Sequence, residues 1–203
     1  QAANQLHGLV ATAPDELRAQ LRDLSAHQLA GRCARSRPTD PAGALGGTRT
    51  ALRSIARRYQ NLTAEIAELD ATLKPLVANA APGLVAMIGI GTDIAGQLLV
   101  TAGDNPDRIG SEAAFARLCG VAPIPASSGL TTKHRLHRGG DRQANAALHR
   151  AIIVRLHCHP PTRNYVEKRM AEGRTKKDAI RSLKRYLARQ VHAELTRPQL
   201  DAI

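Results

Sequence analysis

Aromatic side chains are almost missing from this chain of 203 residues, which has one Phe, three Tyr and no Trp. A core without rings must be filled by Leu, Ile, Val and Ala, a mixture that suits helices better than a twisted sheet. Cysteine is sparse too. Cys33, Cys119 and Cys158 are odd in number and far apart, a pattern that points away from a disulfide framework or a Cys-x-x-Cys metal site. His157-Cys158-His159 offers ligand side chains, yet Pro160 and Pro161 follow directly, so the cluster reads as a helix end and no metal site is assigned. No apolar run reaches the roughly eighteen residues that span a bilayer, and the N-terminus lacks the blocks of a signal peptide. The expected location is cytoplasmic, with no membrane partner. The chain starts at Gln1 and enters mid-pattern, as part of a longer protein would.

Acidic residues are the other shortage. There are 17 Asp and Glu against 29 Lys and Arg, a formal charge of +12. Such a balance points to a polyanion, most often a nucleic acid, with an anionic membrane surface as the weaker alternative. From Lys133 to Arg189 the sequence has 16 Lys and Arg against Asp141, Glu167, Glu172 and Asp178, so 16 minus 4 places the whole excess in that segment.

What is present reads as helix. Leu6, Leu9 and Val10 mark one short amphipathic helix up to about residue 12. Leu17, Leu21 and Leu24 mark a second, started by Pro14 with Asp15 and Glu16 in its first turn. A weaker helix from Ser25 ends in Arg35-Ser-Arg-Pro-Thr-Asp-Pro-Ala-Gly43, a linker or turn. Then Leu52, Ile55, Tyr59, Leu62, Ile66, Leu69, Leu73 and Leu76 alternate spacings of three and four. That is a heptad seam of about four repeats, and it predicts a coiled-coil arm that pairs with a second copy through residues 52–76.

Ile88-Gly-Ile-Gly91 lies between two short apolar helical runs and resembles the turn of a helix-hairpin-helix element. Gly89 and Gly91 would then expose backbone N–H groups to a phosphate, although a turn built only for packing has the same sequence. Ser111 caps a helix that turns Phe115 and Leu118 inward, and Gly120 ends it. Pro123 and Pro125 next bias the chain towards an extended, exposed turn holding Ser127, Ser128 and Gly129. Lys133, Arg135, Arg138 and Arg142 follow at once and suit a phosphate partner. Three more helices are predicted: about 141–157 with Ala147, Leu148, Ile152 and Leu156 buried, 162–172, and one capped by Thr175 with Ile180, Leu183, Leu187 and Val191 buried. The last one's other face is basic, with Lys176, Lys177, Arg181, Lys184, Arg185 and Arg189, and reads as nucleic-acid contact.

Several motifs together resemble one family. Ile88-Gly-Ile-Gly91, Ala-Gly-Asp104, Phe115-Ala-Arg-Leu-Cys-Gly-Val-Ala-Pro123, Ser-Gly at 128 and 129, His137-Arg-Gly-Gly-Asp-Arg-Gln-Ala-Asn145 and Lys184-Arg-Tyr-Leu-Ala-Arg189 resemble the C-terminal domain of insertion-sequence one-ten family transposases, also described as bridge-RNA-guided recombinases. The heptad arm and Asn4-Gln-Leu-His-Gly-Leu-Val-Ala-Thr-Ala-Pro14 look like that family's linker region. The resemblance implies DNA transposition by strand cleavage and rejoining, DNA as partner and a guide RNA as a further one. It implies a serine nucleophile at Ser128, with Ser127 as fallback. In the family an N-terminal RuvC-like domain with an acidic cluster holds Mg²⁺. This sequence has no counterpart: Asp93, Asp104, Asp107 and Asp141 are scattered among helix starts and turns, whereas two-metal phosphoryl transfer needs converging carboxylates. No cofactor is therefore expected in this chain alone, and it is expected not to cleave DNA unaided.

The sequence thus predicts a mostly α-helical protein: linker helices over 1–47, a coiled-coil arm over 48–80, and a compact DNA-binding domain over 81–203 with an exposed serine loop. Two other readings stay open, a non-catalytic nucleic-acid-binding module or inactive transposase remnant, and an assembly protein whose charge is incidental.

Overall fold

In the computed structural model, which describes residues 1–37, 43–104, 109–126, 134, 135, 137 and 139–197, the described residues form ten helices and one two-stranded ribbon. The chain divides into two compact units, Gln1–Thr72 and Leu73–Ile203. Helices were the expected outcome of a core lacking rings. None of the described helices is long and apolar enough to cross a membrane.

In the first unit, α1 (Ala2–Ala11), α2 (Asp15–Leu21) and α3 (Ala26–Ala34) gather around the start of α4 (Ala44–Ala80). Leu6, Val10, Leu17, Leu21, Leu29 and Cys33 fill the core together with Leu52 and Ala56. Each fully buried Leu contributes about 2 kcal/mol through its apolar area. The local starts follow the sequence. Asp15 and Glu16 occupy the first turn of α2 behind Pro14, and Asp15 pairs with Arg18. Ser25 and Gln28 form a reciprocal capping box on α3.

The heptad seam divides in use. Its beginning belongs to the first unit: Leu52 is buried, and Ile55 and Tyr59 pack on the core. Leu62, Ile66, Leu69, Leu73 and Leu76 are exposed, Ile66 by 58% and Leu69 and Leu76 by 61% each. Pro75 sits inside the helix, so the carbonyl four residues earlier has no intrahelical N–H partner. Val77, two residues further on, is buried in the core of the second unit.

In the second unit α8 (Arg142–Cys158) is the axis on which α6 (Thr92–Ala102), α9 (Pro160–Ala171) and α10 (Lys176–Leu195) pack, with α5 (Pro82–Val85) and α7 (Glu112–Leu118) closing the ends. Ala144, Ala147 and Ala151 are buried on α8 at spacings of three and four, and small side chains there let neighbouring helices approach closely. Phe115, Leu98, Leu148, Ile152, Leu187 and Val191 complete the core. Helix α9 begins at Pro160, two residues before the start expected at Thr162, because Pro160 and Pro161 occupy the first turn, where a missing N–H costs nothing. Between α7 and α8, β1 (Ile124–Pro125) pairs antiparallel with β2 (His134–Arg135).

The Ile88–Gly91 turn packs inward. Gly89 has φ +79°, and a Cβ there would come within 2.8 Å of the Ala151 carbonyl oxygen of α8. Arg155 Nε donates to the Ile88 carbonyl at 2.7 Å and its Nη1 to Gln190 Oε1 at 3.0 Å, which ties this turn to α8 and α10.

Candidate nucleic-acid interface

A basic cleft of about 710 Å³ lies in the second unit between the loop leading into β1, the ribbon strand β2, and helices α9 and α10. Its floor is made by a crossing of two glycine segments. Gly120 has φ +65°, and a Cβ on Gly140 would overlap the Gly120 backbone. The Asp141 N–H donates to the Leu118 carbonyl at 2.7 Å. Asp141 then caps α8 by accepting from Gln143 N and Ala144 N, and its other oxygen lies 2.9 Å from Thr101 Oγ1.

One turn into α8, Asn145 holds this floor to α10. Its Nδ2 donates to the carbonyls of Cys119 (3.1 Å) and Gly120 (3.0 Å), and its Oδ1 accepts from Lys184 Nζ at 2.8 Å. The amide is fully used. Lys184 is only 8% exposed, and burial, followed by the nearby Arg181 charge, holds its pKa below the ordinary lysine value. The sequence put Lys184 on the basic outer face of this helix; in the structure its ammonium turns inward, because Asn145 offers an acceptor beside two loop carbonyls.

Six cations line the cleft: Arg135, Arg169, Arg174, Arg181, Lys184 and Arg185. Three have acidic partners. Arg181 pairs with Asp178 at 2.9 Å, Arg169 with Glu172 at 2.5 Å, and Arg185 with Glu112 at 2.9 Å. Six cations minus three carboxylates leaves a surplus of three. Asp178 is held below the usual carboxylate range, first by the Thr175 hydroxyl and then by Arg181. Glu112 is lowered by hydrogen bonds from Arg189 and Arg185. Even so, Arg169 Nε and Arg185 Nη1 are buried with no hydrogen-bond partner. Buried guanidinium N–H groups are costly to leave unpaired, and these two atoms are shielded from solvent as well as from protein acceptors.

The sequence-derived site residues distribute unevenly. Arg135, Arg181, Lys184 and Arg185 meet in the cleft. Arg142, Lys176 and Lys177 are exposed but lie outside it. Gly89 and Gly91 belong to the turn packed on α8, where Arg150 also pairs with Asp93 in the first turn of α6 at 3.0 Å. Ser127, Ser128, Lys133 and Arg138 lie outside the described residues. Sequence reasoning missed Arg169, Arg174, Asn145 and Tyr186 as members of this site. The first two sit at the end of α9 and beyond it, where Gly173 at φ +80° turns the chain back. Basic residues around a helix-ending glycine were the available signal. Among the described residues no group of three or more His, Cys, Asp or Glu could hold a metal ion.

Residues 82–167 match the family described as Transposase IS116/IS110/IS902. An uncharacterized 43.6 kDa protein of insertion element IS110 from Streptomyces coelicolor is 33% identical over 136 residues, covering 65% of this chain and 32% of that protein. An uncharacterized 42 kDa protein of insertion element IS900 from Mycobacterium paratuberculosis is 25% identical over 139 residues, covering 67% of this chain and 35% of that protein. The chain thus spans about a third of the length of the curated relatives it matches.

Proposed function

From the premise that residues 82–167 are a transposase domain of the IS116/IS110/IS902 family, we propose that the cleft on this unit grips the sugar-phosphate backbone of DNA during transposition of an insertion sequence. The observation that carries this reading is the surplus of cations lining the cleft, six Lys and Arg against three paired carboxylates among the described residues. Phosphate oxygens are acceptors of the right charge, and guanidinium groups bind them in two-point geometry. Lys184 acts here through Asn145, holding the cleft floor, while Arg135, Arg181 and Arg185 make contact. Arg142, Lys176 and Lys177 extend the grip to flanking phosphates, and Lys133 and Arg138 add to it from the segment between β1 and α8. Gly89 supports this unit by packing on α8, while Gly91, exposed at the N-cap of α6, offers its backbone to a flanking phosphate.

Ser128, with Ser127 as fallback, is the proposed nucleophile. Both serines lie in sequence between β1 and β2, and Pro123, His134 and Arg135 line the cleft on either side of them. Attack of the serine oxygen on phosphorus would expel a sugar hydroxyl and form a phosphoserine bond. Attack by another strand's hydroxyl would reverse the step, so the energy of the broken strand is conserved. A serine hydroxyl needs a base or metal to take its proton, and among the described residues no cluster of carboxylates converges for that purpose. The chemistry is therefore assigned to this chain acting with an acidic, Mg²⁺-holding domain, on DNA addressed by a guide RNA within the bacterial nucleoid. The exposed Leu62, Ile66, Leu69, Leu73 and Leu76 stripe supports pairing of two copies through the seam of residues 52–76, with the earlier seam residues serving the first unit.

The test incubates the chain with labelled element-end DNA, guide RNA, Mg²⁺ and a separately supplied RuvC-like domain, and looks for a covalent protein–DNA adduct on a denaturing gel. Loss of the adduct in Ser128→Ala alone establishes the nucleophile. Salt-dependent binding without an adduct under any condition leaves the non-catalytic module or inactive remnant. For the cleft, Arg135→Gln and Arg181→Gln should each flatten the slope of log affinity against log salt by about one.

A further inference from the structure

Only four aromatic rings occur among the Phe, Tyr and Trp side chains of this chain, and two of them meet at the cleft. Tyr186 on α10 forms part of the cleft wall and is 48% exposed. Tyr165 on α9 stands against it edge-to-face, with ring centroids 5.9 Å apart and an interplanar angle of 88°. An edge-to-face neighbour covers at most one face of the Tyr186 ring while fixing its orientation. Tyr186 therefore presents a pre-oriented aromatic surface inside a cleft that six Lys and Arg side chains also line.

Phosphate binding explains the cations and leaves this ring unexplained. The face of an aromatic ring carries the negative part of its quadrupole and offers a phosphate nothing. A nucleobase, in contrast, stacks on such a face whatever its sequence identity. We propose that Tyr186 is a stacking platform for an unpaired nucleobase, with Tyr165 as the positioning residue behind it and the cations lining the cleft facing the phosphates of the same strand. The cleft would then accept a single-stranded or unpaired segment in preference to intact duplex, where every base face is already covered. This deepens, and rests on, the reading of the cleft as a nucleic-acid interface.

The experiment uses the full chain and oligonucleotides of about 12 nucleotides, a length within the site sizes of single-strand binders. Each carries one 2-aminopurine and a terminal dye, as DNA, as RNA and as duplex DNA. Anisotropy reads affinity and 2-aminopurine quenching reads stacking, without interference from Trp, which the chain lacks. The expected result is quenching on binding of the single strands, kept in Tyr186→Phe and lost in Tyr186→Leu. Affinity should fall about five- to a hundredfold in Tyr186→Leu at an unchanged salt slope. Tyr186→Gln is the second non-aromatic variant, and circular dichroism confirms that each is folded. The DNA and RNA arms tell which strand supplies the base. Unchanged affinity and quenching in folded Tyr186→Leu or Tyr186→Gln would overturn the platform. If Arg135→Gln still weakens binding in that case, the phosphate reading survives alone; if it does not, both readings fall.

Discussion

Replacing Asn145 by Ala should be the most damaging single change to the cleft floor that leaves its volume nearly intact. The substitution removes two bonds to the carbonyls of Cys119 and Gly120 and strips Lys184 of its acceptor. Two neutral hydrogen bonds contribute about 1 kcal/mol each, and a charge-assisted bond to a buried ammonium about 2 kcal/mol. Asn145→Ala should therefore cost about 4 kcal/mol. Lys184→Met behaves differently, since it loses the same charged bond yet also removes the cost of burying a charge, leaving only the Asn145 Oδ1 acceptor unpaired, for about 1 kcal/mol. In the double variant no orphaned charge remains, so the cost should be about 2.5 kcal/mol. The coupling, 2.5 minus 4 minus 1, is about −2.5 kcal/mol, well above the scatter between independent sites. Urea unfolding of the four proteins, followed by helical circular dichroism with the m-value checked for constancy, measures it. A Lys184→Met cost equal to or above that of Asn145→Ala, or a coupling near zero, would refute the relay. A pH arm checks the sign. The folded-state pKa of Lys184 lies below its ordinary 10.5, so between the two values the unfolded chain binds more protons and stability rises with pH. Lys184→Met should remove that rise.

Other outcomes follow from single contacts. Gly140→Ala should destabilise the second unit by several kcal/mol or prevent its folding, because the new methyl overlaps the Gly120 backbone; Gly139→Ala, which meets only the His137 ring at 3.6 Å, should cost about 1 kcal/mol or less by comparison in the same melts. A thiol reagent at neutral pH should modify Cys158 promptly and spare Cys119 until the protein is unfolded. Cys158 is exposed, whereas burial, with Asp141 nearby, pushes the Cys119 thiol up to about 12. Glu112 should titrate below its ordinary 4.5, because Arg189 and Arg185 hold its charged form. Its contribution is present above the unfolded-state value and lost as pH falls through the folded one. NMR titration of its carboxyl measures this, and Glu112→Gln should make stability less sensitive to pH in that acid window. Leu69→Glu should shift the chain to a smaller species in sedimentation at concentrations where the parent associates.

Helix after helix was legible because the signals are local. Pro14, Ser25, Ser111, Asp141 and Thr175 start helices in the structure as their side chains dictate, and Leu187 and Val191 fall on the buried face that their spacing names. Charge could be counted from the sequence and assigned to one segment. Its distribution in space could not: helical periodicity put Lys184 on the outer face, while an amide from α8 drew it inward.

Composition and periodicity by themselves determined a helical, ring-poor, strongly basic chain with an apolar seam, since propensity, capping and charge act over a few residues. Only the tertiary structure decided which part of the seam is consumed by the first unit's core, that the Gly89 turn locks onto α8, and that Arg135, Arg169, Arg185 and Tyr186 share one wall. Those outcomes depend on which surfaces meet between segments far apart in sequence, 67 residues in the case of Ile88 and Arg155, and no local pattern carries that information.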